Sequence, residues 1–65
     1  MMNRDKMFAL VSFLKLVKTQ SQFMNTYTAG RDLESLSATE IEVLCAGIKQ
    51  VRDSATVTIN RLRGQ

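Results

Sequence analysis

The stretch TAGRDLESLS, residues 28–37, interrupts the helical spacing of apolar residues that runs through the rest of this 65-residue chain. Gly30 can adopt the left-handed backbone conformation that commonly ends a helix. Ser37, followed three residues later by Glu40, forms the capping-box pattern that begins one. Leu33 and Leu36 lie between these signals and predict a short ordered turn that packs against the helices.

Working outward from this break, the chain is predicted to be all-α and to fold as a helical hairpin in one domain, residues 1–65. Helix 1 is expected over about residues 4–28, and helix 2 over about residues 38–63, with the connection at residues 29–37. Arg61 and Arg63 complement the negative end of the helix 2 dipole, and Gly64 ends that helix.

Helix 2 carries a seven-residue repeat, which predicts one narrow apolar stripe facing a neighbouring helix. The stripe residues are spaced alternately by three and four positions: Ile41, Leu44, Ile48, Val51, Ala55, Thr58 and Leu62. Cys45 lies beside the stripe and is predicted to be a small core residue.

The segment LSATEIEVL, residues 36–44, resembles the start of a DNA-binding helix in LuxR-type regulators, and TVTINRLRG, residues 56–64, is more loosely similar to that family. The family places a turn and a second helix between such segments. From Leu44 to Val57 the apolar spacing keeps one helical phase, and Gly47 alone does not make a turn. The pattern therefore favours helix-capping chemistry within one continuous helix.

Helix 1 has an apolar arc that covers about half of its circumference. The ten residues that form this arc are Met7, Leu10, Leu14, Val17 and Met24, together with Ala9, Phe13, Leu16, Phe23 and Tyr27. Helix 2 can cover only one side of so wide an arc, so a second neighbour is required. The simplest closed arrangement is a homodimer of hairpins that forms a four-helix bundle.

Small size supports the same expectation, because a domain of this length buries only about 60% of its unfolded surface. Cys45 is the only cysteine and the chain has no histidine. Neither an intrachain disulfide nor a Cys/His zinc site can therefore stabilise the fold. Self-association or a partner is the remaining source of buried area.

Catalysis is not expected, and no catalytic, cofactor-binding or metal-binding residue is predicted. Without histidine no Cys/His or Ser/His/Asp relay can form, and isolated glycines make no phosphate-binding loop. Glu40 and Glu42 point about 200° apart on a helix, so they cannot act as an acid and base pair.

A membrane-spanning segment is not expected either, because the longest apolar run, MFALV, is far shorter than the roughly 20 residues that span a bilayer. The single cysteine and the absence of a signal peptide favour a cytoplasmic protein.

Two binding functions from different classes remain. The first is a regulatory protein that inhibits or modulates a protein partner through an apolar helical surface. Methionine and aromatic side chains adapt to varied partners, which favours helix 1 for this contact. The residues predicted for the protein-partner or dimer surface are Phe13, Leu16, Phe23, Met24 and Tyr27.

The second is an RNA-binding or DNA-binding regulator. Nine Lys and Arg against six Asp and Glu give a formal charge of +3, which permits nucleic-acid binding. In size and hairpin-dimer plan the chain resembles plasmid RNA-binding proteins of the Rop type, and this resemblance implies phosphate contacts from Lys15, Lys18, Gln22 and Asn25 on helix 1. The lysines are few and no exposed aromatic residue is interleaved with them, which favours the protein-binding function.

Overall fold

The computed structural model describes residues 3–64, which form two long helices joined by a connection with one short 3₁₀ turn. Helix α1 runs over Arg4–Thr28, the 3₁₀ turn over Leu33–Ser35, and helix α2 over Ala38–Leu62. The two helices pack against each other, so the predicted all-α helical hairpin is confirmed. Helix α2 is continuous, whereas a helix-turn-helix would need a break inside it.

Local hydrogen bonds explain where α1 begins and ends. The side chain of Asn3 accepts a hydrogen bond from the backbone N–H of Lys6 at 2.8 Å, and Asp5 lies in the first turn, near the positive end of the helix dipole. Beyond the last turn, Gly30 has a φ of 73°, a conformation that glycine adopts without steric penalty.

The predicted capping box at the start of α2 is present. Ser37 Oγ accepts from the backbone N–H of Glu40 at 3.1 Å, and Glu40 Oε1 accepts from the backbone N–H of Ser37 at 2.9 Å. The other carboxylate oxygen of Glu40 pairs with the Arg31 guanidinium, which also lies 5.4 Å from the centre of the Tyr27 ring. The connection is therefore tied to both helices.

The 3₁₀ turn is held by Asp32, whose carboxylate accepts from the backbone N–H of Glu34 at 3.0 Å and from the Ser35 hydroxyl at 3.1 Å. Leu36 is half-buried, as expected of a turn that packs down. Leu33, in contrast, is largely exposed. The prediction that both leucines pack against the helices was wrong for Leu33, because the Asp32 cap alone orders this part of the turn.

The contact between α1 and α2 extends along the whole hairpin. Ala9 on α1 and Gly47 and Thr58 on α2 are buried. Around them lie half-buried side chains from α1, namely Leu10, Phe13, Leu16, Val17, Gln20, Met24 and Tyr27, and from α2, namely Val43, Leu44, Val51, Ser54, Ala55 and Leu62.

Gly47 leaves space on α2 near the middle of this contact, and two flexible side chains of α1 fill that space. A Cβ atom at Gly47 would lie only 2.8 Å from Gln20 Oε1 and 3.0 Å from Met24 Cε. Gln20 Nε2 also donates a hydrogen bond across the hairpin to Gln50 Oε1 at 2.7 Å. The missing side chain thus makes room for two long side chains of α1 on the surface of α2.

The predicted stripe of α2 needs a correction at two residues and at its neighbour Cys45. Ile41 and Ile48 are about half exposed, and Cys45 is exposed. Gly47, and not the neighbouring Ile48, is buried against α1. Glu40, which the capping box holds, is half-buried in place of the neighbouring Ile41. The other five stripe residues are buried or half-buried: Leu44, Val51, Ala55, Thr58 and Leu62.

The hairpin is a single layer of two helices and has almost no core of its own. Its radius of gyration is 14.9 Å, against about 11 Å for a compact chain of this length. Its accessible surface is 5294 Å², whereas a compact monomer of 7.3 kDa exposes about 4200 Å². Among the described residues, the buried apolar side chains comprise Ala9 alone.

Removing the cap of α2 tests the contribution of the capping box. Ser37→Ala deletes the oxygen that accepts from the Glu40 backbone, so the free energy of unfolding should fall by about 0.5 to 2 kcal/mol. Urea denaturation followed by circular dichroism, at one fixed chain concentration, measures this change. Gln22→Ala, at an exposed position on the side of α1 away from α2, is the control and should change stability by less than about 0.5 kcal/mol. Equal stability of the two variants would contradict the capping role.

Filling the space at Gly47 tests the contact that Gln20 and Met24 make with α2. Gly47→Leu should lower the free energy of unfolding by about 1 to 3 kcal/mol, because the new side chain displaces Gln20 and Met24 from α2. Ala46→Leu, one residue earlier at an exposed position, should change it by less than about 0.5 kcal/mol. The same denaturation experiment compares them, and a Gly47→Leu protein as stable as the control would rule out a tight contact here.

Candidate functional site

Two opposite faces of the hairpin remain open, because each helix covers only one side of the other. We name the first the aromatic face; it comprises Phe8, Phe13, Leu16 and Phe23 of α1 with Val43, Ala46 and Val57 of α2. We name the second the aliphatic face; it comprises Met7, Leu10, Leu14 and Val17 of α1 with Ile41, Ile48 and Ile59 of α2.

The aromatic face contains two shallow grooves between the helices. The groove nearer the chain termini has a volume of about 350 Å³ and is lined by Phe8, Phe13, Leu16 and Val57, among others. Phe8 is 69% exposed, the largest value for a large apolar side chain among the described residues. Two charged residues, Asp53 and Arg61, also line this groove, so polar groups accompany its apolar floor.

The second groove lies nearer the connection and has a volume of about 450 Å³. Phe23 and Val43 supply much of its apolar lining, and Thr19 and Gln50 add polar atoms. The Phe23 ring stacks on Tyr27, with ring centres 5.6 Å apart and an interplanar angle of 20°. This stacking, continued by Arg31 over Tyr27, holds the Phe23 ring in place at the edge of the groove.

The aliphatic face lies on the other side of the line of contact between the helices. Helical geometry places Met7 and Leu14 on the side of Ala9 and Phe13 away from Phe8 and Phe23. The same geometry in α2 places Ile41, Ile48 and Ile59 on this side of the hairpin. The antiparallel register, shown by the Gln20–Gln50 hydrogen bond, puts Ile59 at the level of Met7 and Ile41 near the connection. Five of the seven residues of this face are about half exposed: Met7, Leu14, Ile41, Ile48 and Ile59. All seven are uncharged and aliphatic or thioether side chains.

The five residues predicted for the protein-partner or dimer surface do not share one environment. Phe13 and Leu16 are half-buried and line the first groove, and Phe23 lines the second. Met24 and Tyr27 are half-buried towards α2. Three of the five thus reach the aromatic face, and their contact with a partner or a second copy stays a prediction.

The four residues predicted for nucleic-acid contacts do lie together. Lys15, Lys18, Gln22 and Asn25 are all exposed, and their spacing puts them on the side of α1 that points away from α2. We name these four residues the lysine strip; the exposed apolar side chain of Val11 lies one helical turn before it. The lysine strip carries two positive charges, both in its first half, and contains no acidic residue.

Sequence reasoning did not select Phe8 or Val57, which the structure places opposite each other in the first groove. A signal was present for Phe8, since it continues the spacing of Leu16 and Phe23 through Ser12 and Thr19 at intervals of three and four. The exposure of Ile48 had no such signal, because it depends on how α1 packs against Gly47.

Residues 3–64 contain no group of three or more Cys, Asp or Glu side chains arranged to hold a metal ion. Neither α1 nor α2 combines the length and apolar character needed to cross a bilayer.

No protein-family model matches the chain, and comparison with curated proteins and with solved structures gives no match either.

Proposed function

We propose that this chain is a small non-enzymatic regulatory protein that forms a homodimeric four-helix bundle and inhibits or modulates a protein partner through an apolar helical surface. One observation carries the proposal. Ten large apolar side chains of the described residues are more than two-fifths exposed, and most of them are gathered on two faces. Contiguous apolar surface of this kind marks sites of association between proteins.

Dimerisation follows from the thinness of the hairpin. A stable domain packs at least two layers of secondary structure around one core, and α1 and α2 supply one layer. Burying a single Leu, Ile or Phe side chain contributes about 1.5 to 3 kcal/mol. A second hairpin laid on one face would provide the second layer and bury several such side chains at once.

The aromatic face suits the protein partner. Its two grooves offer apolar floors in which Phe8 and Phe23 can pack against apolar side chains, and Asp53 and Arg61 add the polar groups common at the rim of an interface. Aromatic residues are enriched among those that dominate binding energy. An amphipathic helix of the partner, with apolar side chains spaced by three and four residues, fits between two antiparallel helices.

A reducing compartment fits the proposed protein. Cys45 is a free and exposed thiol, and such thiols are readily oxidised or paired outside the cytoplasm. We therefore place the protein in the cytoplasm.

Nucleic-acid binding is the second candidate function, and the lysine strip is the observation that favours it. A two-fold dimer would present Lys15 and Lys18 twice, with Gln22 and Asn25 available to phosphate oxygens. We rank this function second because the lysine strip holds two lysines per chain and no aromatic residue that could stack on bases.

Capture from lysate with matched variants separates the two functions. The immobilised chain should retain a protein partner after nuclease treatment, and the Lys15→Gln/Lys18→Gln variant should retain it equally well. Phe8→Ala combined with Phe23→Ala should raise the dissociation constant of that partner about thirtyfold or more, because truncating one buried anchor commonly costs about 2 kcal/mol.

Val11→Ala is the matched control, since it truncates an exposed apolar residue of α1 outside both faces. Circular dichroism of every variant confirms that the helices persist. Capture that nuclease abolishes, with a salt dependence that flattens in the Lys15→Gln/Lys18→Gln variant, would replace the protein partner with a nucleic acid.

A further inference from the structure

We propose that the aliphatic face is the surface on which two copies of the chain pair, leaving the aromatic face on the outside of the bundle. This inference rests on the proposed homodimer and assigns its interface. Among the described residues, the aliphatic face gathers Met7, Leu14, Ile41, Ile48 and Ile59, each about half exposed, on one side of the hairpin.

The exposed area matches what a dimer of this chain needs. The accessible surface of 5294 Å² exceeds that of a compact monomer by about 1100 Å². A standard stable interface buries about 800 Å² on each partner. Covering one full face of the hairpin would therefore bring the exposed area per chain into the range of a compact protein.

Charge decides between the two faces. In a two-fold interface each surface meets its own copy, so every charged residue on it must lose water or face a like charge. The seven members of the aliphatic face are uncharged. Lys18 of α1 and Arg52 of α2 border it, and the Arg52 guanidinium pairs with the Asp53 carboxylate at 3.2 Å, on the side of α2 away from this face. The groove of the aromatic face includes Asp53 and Arg61, and Asp5 and Lys6 lie at its open end with Phe8. Self-pairing through the aliphatic face avoids the desolvation of these charges.

The seven-residue repeat of α2 supports the same choice. A helix in a four-helix bundle contacts two neighbours, one on each side of its apolar stripe. Leu44, Val51 and Thr58 lie against α1, whereas Ile41 and Ile48 lie beside this contact and remain open. The open half of the stripe belongs to the aliphatic face and would meet the second neighbour.

Side-chain rigidity adds to the preference. Ile41, Ile48 and Ile59 are β-branched, so they have few rotamers to lose when a second copy orders them. Pairing through this face also gives the proposed bundle two outward aromatic faces, on opposite sides. Each dimer would therefore offer two equivalent sites to a protein partner.

Two matched substitutions on α2 test the interface. Ile48 is 57% exposed and Val57 is 53% exposed, so within a single hairpin a glutamate should be tolerated equally at either position. Sedimentation equilibrium should show that Ile48→Glu raises the dimer dissociation constant about a hundredfold or more, because the charge would be buried in the interface. Val57→Glu, on the aromatic face, should leave the dimer intact.

A labelling experiment covers the case in which Ile48→Glu unfolds on dissociation. In a Cys45→Ser background, thiol alkylation of Ile48→Cys should be at least about tenfold slower at high chain concentration than after dilution below the dimer dissociation constant. Alkylation of Val57→Cys should be fast at both concentrations. These rates report burial in the folded dimer and do not depend on a destabilising charge.

The outcomes separate this inference from the proposed function. A wild-type chain that sediments as a monomer throughout the micromolar range would overturn the homodimer itself. A dimer that persists in Ile48→Glu, or that dissociates equally in Val57→Glu, would overturn the assignment to the aliphatic face and leave the homodimer standing. Equal alkylation rates at positions 48 and 57 in the dimer would overturn the assignment as well.

Discussion

One neighbouring helix covers only one side of another helix, and in the hairpin each helix has a single neighbour. Helix α1 has an apolar arc about twice as wide as that contact. Its central residues, such as Ala9 and Phe13, pack against α2, while Phe8 on one flank and Leu14 on the other stay in water. Both open faces, and the dimer and partner contacts that we propose for them, derive from this geometric limit.

Gly47 lies in the contact between the helices, where a longer side chain would be expected. With no side chain at this position, Gln20 and Met24 lie on the surface of α2, and the neighbouring Ile48 lies beside the contact and is exposed. At the end of the hairpin, Glu40 is held by the capping box and by Arg31, so the contact passes beside Ile41 as well. Two isoleucines that a regular repeat would bury are thereby placed on an outer face.

The two open faces differ in chemistry in a way that suits different occupants. A surface that meets its own copy is best free of charge, whereas a surface that selects another protein gains specificity from a few charged groups. The aliphatic face has the first character, and the aromatic face, with Asp53 and Arg61 in its groove, has the second. The lysine strip of α1 lies outside both and stays open to solvent.

The sequence by itself determined the local structure. The cap at Ser37, the glycine at Gly30 and the helical spacing predicted two helices within about one residue of their ends, because these signals act between residues at most four positions apart. It also identified Lys15 and Lys18 as neighbours on one strip. The tertiary structure alone decided which apolar residues are covered. The spacing of apolar residues defines a sector of each helix. Whether Phe8, Cys45 and Ile48 are covered depends on where the other helix of the hairpin lies across that sector.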